Sequence, residues 1–431
     1  MPLPPGPSAP APLQTARLLA RPIPFFESCR RRYGETFTAR VLRAGALVFI
    51  SDPPSLKRLF GADRVNTIAP GRNVILRPIM GSRSVLLLED EEHLRRRKLM
   101  LPPFHGERMR AYESVIEEAT EREVAAWPTD RRFPLHPRMQ AITLEVIMRA
   151  VFGIEDDERR ARLRPLLVEI LSGTQSPAAI GMTIPGVRRL GRFRRVARLI
   201  AQTDDLLAAQ IAERRAAPDL EDRQDILSLL VSARFDDGSA MDDREVRDQL
   251  MTLLLAGHET TATALAWAFD LLLHDSGAYE RAREEVAAGG SDYLDAVGEE
   301  TMRMRPVIPF TGRELREPAE LGGYELDAGT VVMAAIYLAH TRPDLFPHPR
   351  EFRPERFLDG GPETFSWIPF GGGTRRCLGA AFAQFEMRVV LRTVLARSVL
   401  RAADDRMEAP VRRNVTLSPK GGTGALLVER L

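Results

Sequence analysis

Between Asp243 and His274 the chain carries a segment whose centre reads LMTLLLAGHETTATALAWAF, apolar on nearly every side of a helix. At 1.5 Å per residue such a helix is ~48 Å long. A helix with no polar face must be enclosed by the rest of the molecule. The segment therefore predicts a central axis with everything else built around it. Asp242 followed by Glu245 reads as a capping pair at its start. No apolar run reaches the ~18 residues that a membrane span needs, so no membrane anchor is expected.

The remaining organisation reads as mainly α with a smaller β part. Thr36 to Ile50 predicts a hairpin, with Ala44-Gly45 between the strand-like runs TFTARVL and LVFI. Glu91 to Ala216 shows helical spacing, broken at Pro102-Pro103 and over Ser172 to Pro185, which read as loops. A second helix ends at Arg305-Pro306, and a third runs from about Gly379 to Ser398. Short β-like pieces lie between them (GGYELDAGTVVMAAIYL) and near the end (NVTLS, GALLV). A length of 431 residues suggests about three domains, yet no linker divides the chain. The reading is a proline-rich arm over residues 1–14 and one domain over 15–431. The MPLPPGPSAPAP opening lacks the basic and apolar regions of a secretory signal, which fits a soluble, cytoplasmic protein.

Formal net charge is +2, which gives no reason to expect nucleic acid as a partner. Cys29 and Cys377 are the only cysteines, which excludes a disulfide framework and a cysteine-rich zinc site. Cys377 nevertheless stands out. It ends the stretch Phe370-Gly-Gly-Gly-Thr-Arg-Arg-Cys377-Leu-Gly379. Three glycines allow a tight loop that can pass close to a flat ligand. A helix begins just beyond, so free N–H groups and the positive helix end point at the sulfur and favour thiolate. Gly379 leaves room for a bulky group, Phe370 supplies an apolar neighbour, and Arg375 can meet an anionic edge. One thiolate in such surroundings suits a soft or borderline metal, as a single axial ligand.

The pattern F-x-x-G-x-R-x-C-x-G, matched at Phe370, Gly373, Arg375, Cys377 and Gly379, resembles the haem-binding signature of the cytochromes P450. At this composition a chance match arises in roughly six of 100,000 such chains, so the motif is specific. Other landmarks of that family follow in order. Ala256-Gly257-His258-Glu259-Thr260-Thr261 resembles the oxygen-activating stretch, with Glu259 and Thr260 in the acid and alcohol positions and His258 as a spacer. Independently of the resemblance, Thr hydroxyls at mid-helix can bond the i−4 carbonyl and open the helix locally. Glu300-Thr-Met-Arg303 with Arg356 resembles the family's buried Glu–Arg–Arg network, a structural role. His93 and Arg97, one helical turn apart, resemble a pair that binds haem propionates, and Arg313 and Arg375 resemble further propionate partners. Four bases exceed what two propionates need. Arg95, Arg96 and Lys98 beside them read either as a docking patch for an acidic electron carrier or as a solvated face.

The resemblance covers essentially the whole chain. It implies one cytochrome P450-type fold, with haem b (iron protoporphyrin IX) between the long central helix and the helix after Cys377. It also implies a monooxygenase, with Cys377 as metal ligand, Glu259 and Thr260 as catalytic residues, and one atom of O2 inserted into a lipophilic small molecule. Electrons are expected from a separate ferredoxin or flavodoxin and an NAD(P)H-dependent reductase, and the protein is expected to be a monomer. Pocket lining is expected from Leu255, Ala256, Val307, Ile308 and Leu417, and from the stretches Asn66 to Leu88 and Ser172 to Pro185. These are mostly apolar, which suits a fatty acid, terpenoid or steroid-like guest. Two other readings compete: a thiolate-haem enzyme that uses peroxide directly or isomerises one, and a haem-based sensor. Retention of Glu259-Thr260 argues against the first; the second needs an output domain or a DNA-binding helix pair, and neither is visible.

Overall fold

A helix that is apolar all round needs a sleeve, and the computed structural model provides one. It describes residues 2–61, 77–104, 106–174, 191–358, 360–413 and 415–431. Much of the two stretches expected to line a pocket lies outside them. The central helix spans Asp243–Leu273, with the Asp242 side chain accepting from the Glu245 N–H at 2.8 Å. That cap contributes about 1 kcal/mol and sets where the helix starts. Leu250, Met251, Leu254, Leu265, Trp267 and Phe269 are all buried. The sleeve consists chiefly of helices Leu135–Val146, Gly191–Ala216, Asp292–Met304 and Ala380–Arg397. The helix runs unbroken through Gly257 and the threonines, so the expected local opening does not occur.

The β part forms one flank. Strands Phe37–Val41 and Gly45–Ile50 make the expected hairpin, with the turn one residue earlier than expected, at Leu42 to Ala44. Gly45–Ile50 then pairs in parallel with Val331–Ala334, which pairs antiparallel with Thr311–Glu314. Alternation sends Phe37 and Phe49 to one face, where their rings stack at 5.2 Å and Phe26 and Phe310 close around them. Residues 2–10 run extended along this sheet, with the Thr38 N–H donating to Pro5 O at 3.0 Å. Gly6 lies so close that a Cβ there would sit 1.8 Å from Thr38 O. Helix Ala11–Ala20 follows, so residue 14 falls inside a helix rather than at the end of an arm.

Strands Pro410–Arg413 and Thr416–Pro419 form a second hairpin. Leu417 fastens it down twice. Its N–H donates to Val307 O at 2.8 Å, and its carbonyl accepts from the Trp267 indole of the central helix at 2.8 Å. Among the described residues no helix is long and apolar enough to cross a membrane.

One group sits awkwardly in this core. Glu386, on helix Ala380–Arg397, is buried with its Oε1 unpartnered, and burial raises its carboxyl from 4.5 to about 8. The folded chain thus binds this proton more tightly than the unfolded chain does. Stability from this group falls as pH rises from about 4.5 to about 8. Glu386→Gln removes that dependence. Measured by urea unfolding, the stability difference between variant and parent should move in the variant's favour by more than about 1 kcal/mol between pH 5 and pH 9. An unchanged difference would show that the carboxyl is not held neutral.

Candidate functional site

The Cys377 loop is built by glycine conformations that other residues resist. Gly371 and Gly373 both have φ of 67°, in the left-handed region. Gly372 lies against the Phe60 ring, where a Cβ would approach to 2.5 Å. The loop closes on itself: the Gly371 N–H donates to Ile368 O, and the Cys377 N–H to Phe370 O, both at 2.9 Å. Phe370 meets Trp367 edge-on at 6.1 Å, and the Trp367 indole donates to Glu299 O at 3.2 Å. The thiol therefore sits at the end of a braced turn. A Cβ placed at Gly379, the first residue before helix Ala380–Arg397, would meet no protein atom within 4 Å.

The sequence favours a lowered thiol pKa, and here the structure differs. The Cys377 residue is exposed, yet the protein packed around its sulfur raises the thiol, against the opposing pull of the Gly379 N–H and of Arg97 and Arg376. The helix end does help the thiolate, as expected, but desolvation outweighs it in the protein alone. A bound metal cation reverses that balance, because a coordinating thiol is deprotonated outright.

Behind the loop lies the expected network. Glu300 and Arg303 are fully buried and joined by two bonds of 2.6 and 2.8 Å. Arg356 Nε stands 3.4 Å from Glu300, within ion-pair range but not aligned as a hydrogen bond. The Arg353 N–H completes the carboxylate's shell at 3.0 Å. Arg303 also donates to the carbonyls of His340 and Pro349, both at 2.9 Å. His340, absent from the sequence reading, is the link to the loop: its Nε2 accepts from the Ile368 N–H at 2.7 Å. Burial first, then the charge of Arg303, lowers its pKa to about 3, so the imidazole stays neutral and can accept.

The four expected basic groups converge. His93 is buried, and its pKa is lowered to about 3 by burial and then by the charges of Arg375, Arg97 and Arg313. Arg313 is fixed on its strand by Gly372 O at 3.1 Å and lies over the Phe60 ring at 5.3 Å. Arg375 donates to Leu88 O at 2.6 Å. Arg97 feels the Cys377 sulfur, and its pKa is lowered chiefly by burial. No carboxylate partner of Arg97 is seen among the described residues. Three guanidiniums thus act on one neutral imidazole, with Arg313 tied to the cysteine loop and Arg97 acting on the sulfur, a set that could hold a dianion attached to a metal complex. This donor set, with the open side of Gly379, fits a haem with two propionates and an axial thiolate.

On the central helix, Glu259 and Thr260 face different ways. Thr260 Oγ1 donates to Ala256 O at 2.5 Å, the expected back-bond. Ala256 is exposed at mid-helix. Glu259 turns instead to helix Leu135–Val146, where Gln140 donates to its Oε2 at 2.6 Å. His136 Nε2 lies 3.6 Å from its other oxygen. Burial raises the Glu259 carboxyl, against Gln140, Arg413 and Thr263. His258 bonds Thr143 at 2.9 Å on the far side, consistent with a spacer. Gln140, His136 and Thr263 carried no sequence signal, since nothing in their spacing points at Glu259.

The pocket residues divide. Ala256 and Ile308 present accessible surface, whereas Leu255 and Val307 pack on the main core and Leu417 is only 3% exposed. The basic patch is also altered. Arg95 pairs with Asp237, Lys98 with Asp236 at 2.7 Å, and Arg96 with Glu245 at 2.8 Å. Its charge is answered by Asp236 and Asp237 ahead of the central helix and by Glu245 in that helix's first turn, which weakens it as a docking surface. A separate cleft of about 590 Å³ lies on the β flank among Tyr33, Asp52, Arg58, Tyr324 and Arg342, with none of the site residues in it.

Comparison with known proteins gives one answer. The family model described as Cytochrome P450 matches residues 4–423. A Mycobacterium tuberculosis protein bearing the name cytochrome P450 135B1 is 41% identical over 428 residues, 98% of this chain and 90% of its own. Another from the same organism, cytochrome P450 137, is 42% identical over 398 residues, 91% of this chain and 83% of its own. Among solved structures, a retinoic acid-bound cyanobacterial CYP120A1 has a TM-score of 0.85 and 25% identity, each chain fully covered. The cytochrome P450DA heme domain, at 22% identity and a TM-score of 0.87 over 100% of this chain and 98% of its own, shares the fold.

The basic cluster can be tested directly. Arg97→Leu removes a charge-assisted donor without touching the sulfur. Haem affinity, followed by transfer to excess apomyoglobin, should weaken about ten- to hundredfold, the equivalent of about 1.5–3 kcal/mol. Equal retention by variant and parent would remove Arg97 from the site.

Proposed function

The chain belongs to the cytochrome P450 family, and from that premise we propose that Cys377 would hold the iron of a haem b in a monooxygenase acting on a lipophilic small molecule. The family is one of haem-thiolate monooxygenases, which use O2 and external electrons. The observation that supports the residue assignment is the meeting of Arg97, Arg313 and Arg375 at neutral His93, with Arg313 bonded to the cysteine loop at Gly372 O and Arg97 acting on the Cys377 sulfur. A haem bound there supplies oxygen activation at its iron.

Each protein group then has a stated task. Cys377 donates its sulfur lone pair, with the Gly379 N–H tempering the charge on it. Arg97, Arg313 and Arg375 would hold the propionates, and His93 would donate to one as a neutral imidazole. Glu300, Arg303 and Arg356, with His340, brace the loop that carries the sulfur. Thr260 presents its hydroxyl beside Ala256, where it can hold a water or give up a proton from Oγ1. Glu259 is the carboxylate that exchanges protons with that hydroxyl's water. Non-covalent haem b suits a chain whose only other thiol, Cys29, is buried in the β flank. Electrons come from a separate ferredoxin or flavodoxin with its NAD(P)H-dependent reductase, a reading that the family's use of external electrons supports.

For the substrate, Ala256 and Ile308 supply apolar accessible surface and support a fatty acid, terpenoid or steroid-like guest. The cyanobacterial CYP120A1 of similar fold has retinoic acid bound, an isoprenoid of that general character. The working unit is taken as a monomer in the cytoplasm.

Two measurements test this. Reduced holoprotein with carbon monoxide should show the red-shifted Soret band of thiolate ligation, and Cys377→His should lose it; a retained band would overturn the ligand assignment. Thr260→Ala, assayed with any ligand that shifts the ferric spin state and is turned over, should raise peroxide released per NAD(P)H consumed several-fold. Coupling equal to the parent's would reject the role of the hydroxyl.

A further inference from the structure

Among the described residues, the side chains seen to bond or face Glu259 are donors, and they fall into two tiers. Arg413, on the hairpin strand Pro410–Arg413, has Nη1 3.3 Å from His136 Nδ1. A guanidinium has no lone pair to offer and cannot be deprotonated in a protein, so it can only donate. His136 Nδ1 is therefore the acceptor. The imidazole is buried, and its pKa is lowered to about 4 by that burial and then by the charges of Arg413 and His258. It carries one proton at neutral pH, and that proton must sit on Nε2. Nε2 lies 3.2 Å from Thr263 Oγ1 and 3.6 Å from Glu259 Oε1. The opposite tautomer would set two donors face to face at Arg413 and turn a lone pair toward a carboxylate. Both neighbours thus select the same form.

We propose that Arg413 is a positioning residue for Glu259 that acts through His136: by occupying Nδ1 it fixes the imidazole's single proton on Nε2, facing the Glu259 carboxylate. The arrangement rests on the reading of Glu259 as a proton carrier and adds what governs it. Gln140 donates to Oε2 at 2.6 Å, and Thr263 Oγ1 lies 3.5 Å from Oε1 and 3.5 Å from Ser418 Oγ. The groups facing Glu259 are thus Gln140 and His136 from helix Leu135–Val146, Thr263 from its own helix, and Arg413 from the hairpin. The neighbouring His258 is engaged elsewhere, with Thr143. None of these is an acid. Donors on every side favour the charged carboxylate against the burial that opposes it. The hairpin thereby reaches the chemistry without touching substrate. The imidazole does not itself relay protons, because the nitrogen that would have to accept one is covered by Arg413.

The test uses the diamagnetic ferrous carbon monoxide holoenzyme labelled with ¹⁵N-histidine. The chain has 7 histidines, and His136→Gln assigns the relevant signals. Long-range ¹H–¹⁵N correlations should show His136 as the Nε2–H tautomer across neutral pH. Arg413→Met keeps the aliphatic stem but loses the donor. It should admit the Nδ1–H or imidazolium form, and should move the protonation midpoint of Glu259 upward by about one pH unit. That midpoint is read from the carboxyl infrared band assigned with Glu259→Gln. Arg413→Gln can still donate to Nδ1 and should keep the Nε2–H tautomer, which separates the hydrogen bond from the charge. An Nδ1–H or charged His136 in the parent overturns the proposal. So does an Arg413→Met protein with both tautomer and midpoint unchanged. Failure of the underlying reading looks different: Glu259→Gln would then leave peroxide release per NAD(P)H unaltered while the tautomer result stood.

Discussion

The position of the Cys377 sulfur depends on an ion pair that never meets water. Glu300 and Arg303 are both fully buried, and a buried pair is costly to form unless every remaining donor and acceptor is used. Here they are used on the loop. Arg303 holds the carbonyl of His340, His340 accepts from Ile368, and Ile368 O and Phe370 O close the turns on Gly371 and Cys377. Loss of either charge would strand the other and release the segment that aims the thiol. A network that contributes little net stability is therefore well suited to placing one atom.

The front of the loop presents the complementary problem. Bringing Arg97, Arg313 and Arg375 to one imidazole is unfavourable for the protein alone: after burial, their charges hold the His93 pKa down. That repulsion is relieved by an anionic partner. Folding and cofactor binding are linked in such a case: whatever neutralises the cluster in the native state but not in the unfolded chain stabilises the native state. The site is tuned to a metal complex that is positive at its centre and negative at its edge.

The residues legible in sequence were those whose type is rare or whose geometry is local. Cys377 is one of two cysteines, its glycines occupy backbone conformations that few residues tolerate, and the central helix betrays itself by having no polar face. Thr260 and its bond to Ala256 follow from helix periodicity alone. What stayed hidden depends on contacts between distant segments. Lys98 and Arg95 look like a free basic patch until Asp236 and Asp237, some 140 residues on, fold against them. Leu255, Val307 and Leu417 share the apolar character of Ala256 and Ile308, and only packing separates core from accessible surface. His340 matters through one ring nitrogen facing one N–H, which no motif encodes.

Successive residues on a helix project about 100° apart, and the central helix uses that rotation to separate two kinds of work. His258 and Glu259 look toward helix Leu135–Val146 and are tied there by Thr143 and Gln140. Thr260, one step further round, keeps its hydroxyl on its own backbone beside the exposed Ala256. Polar groups in the middle of an enclosed helix would ordinarily cost stability, and those on the anchored face offset that cost with tertiary hydrogen bonds. Thr260 does so differently: its bond is local, so it adds nothing to the packing and can be exchanged for a water or a ligand without disturbing the sleeve. The anchored face holds the helix still, and the locally satisfied face is left free to change partners.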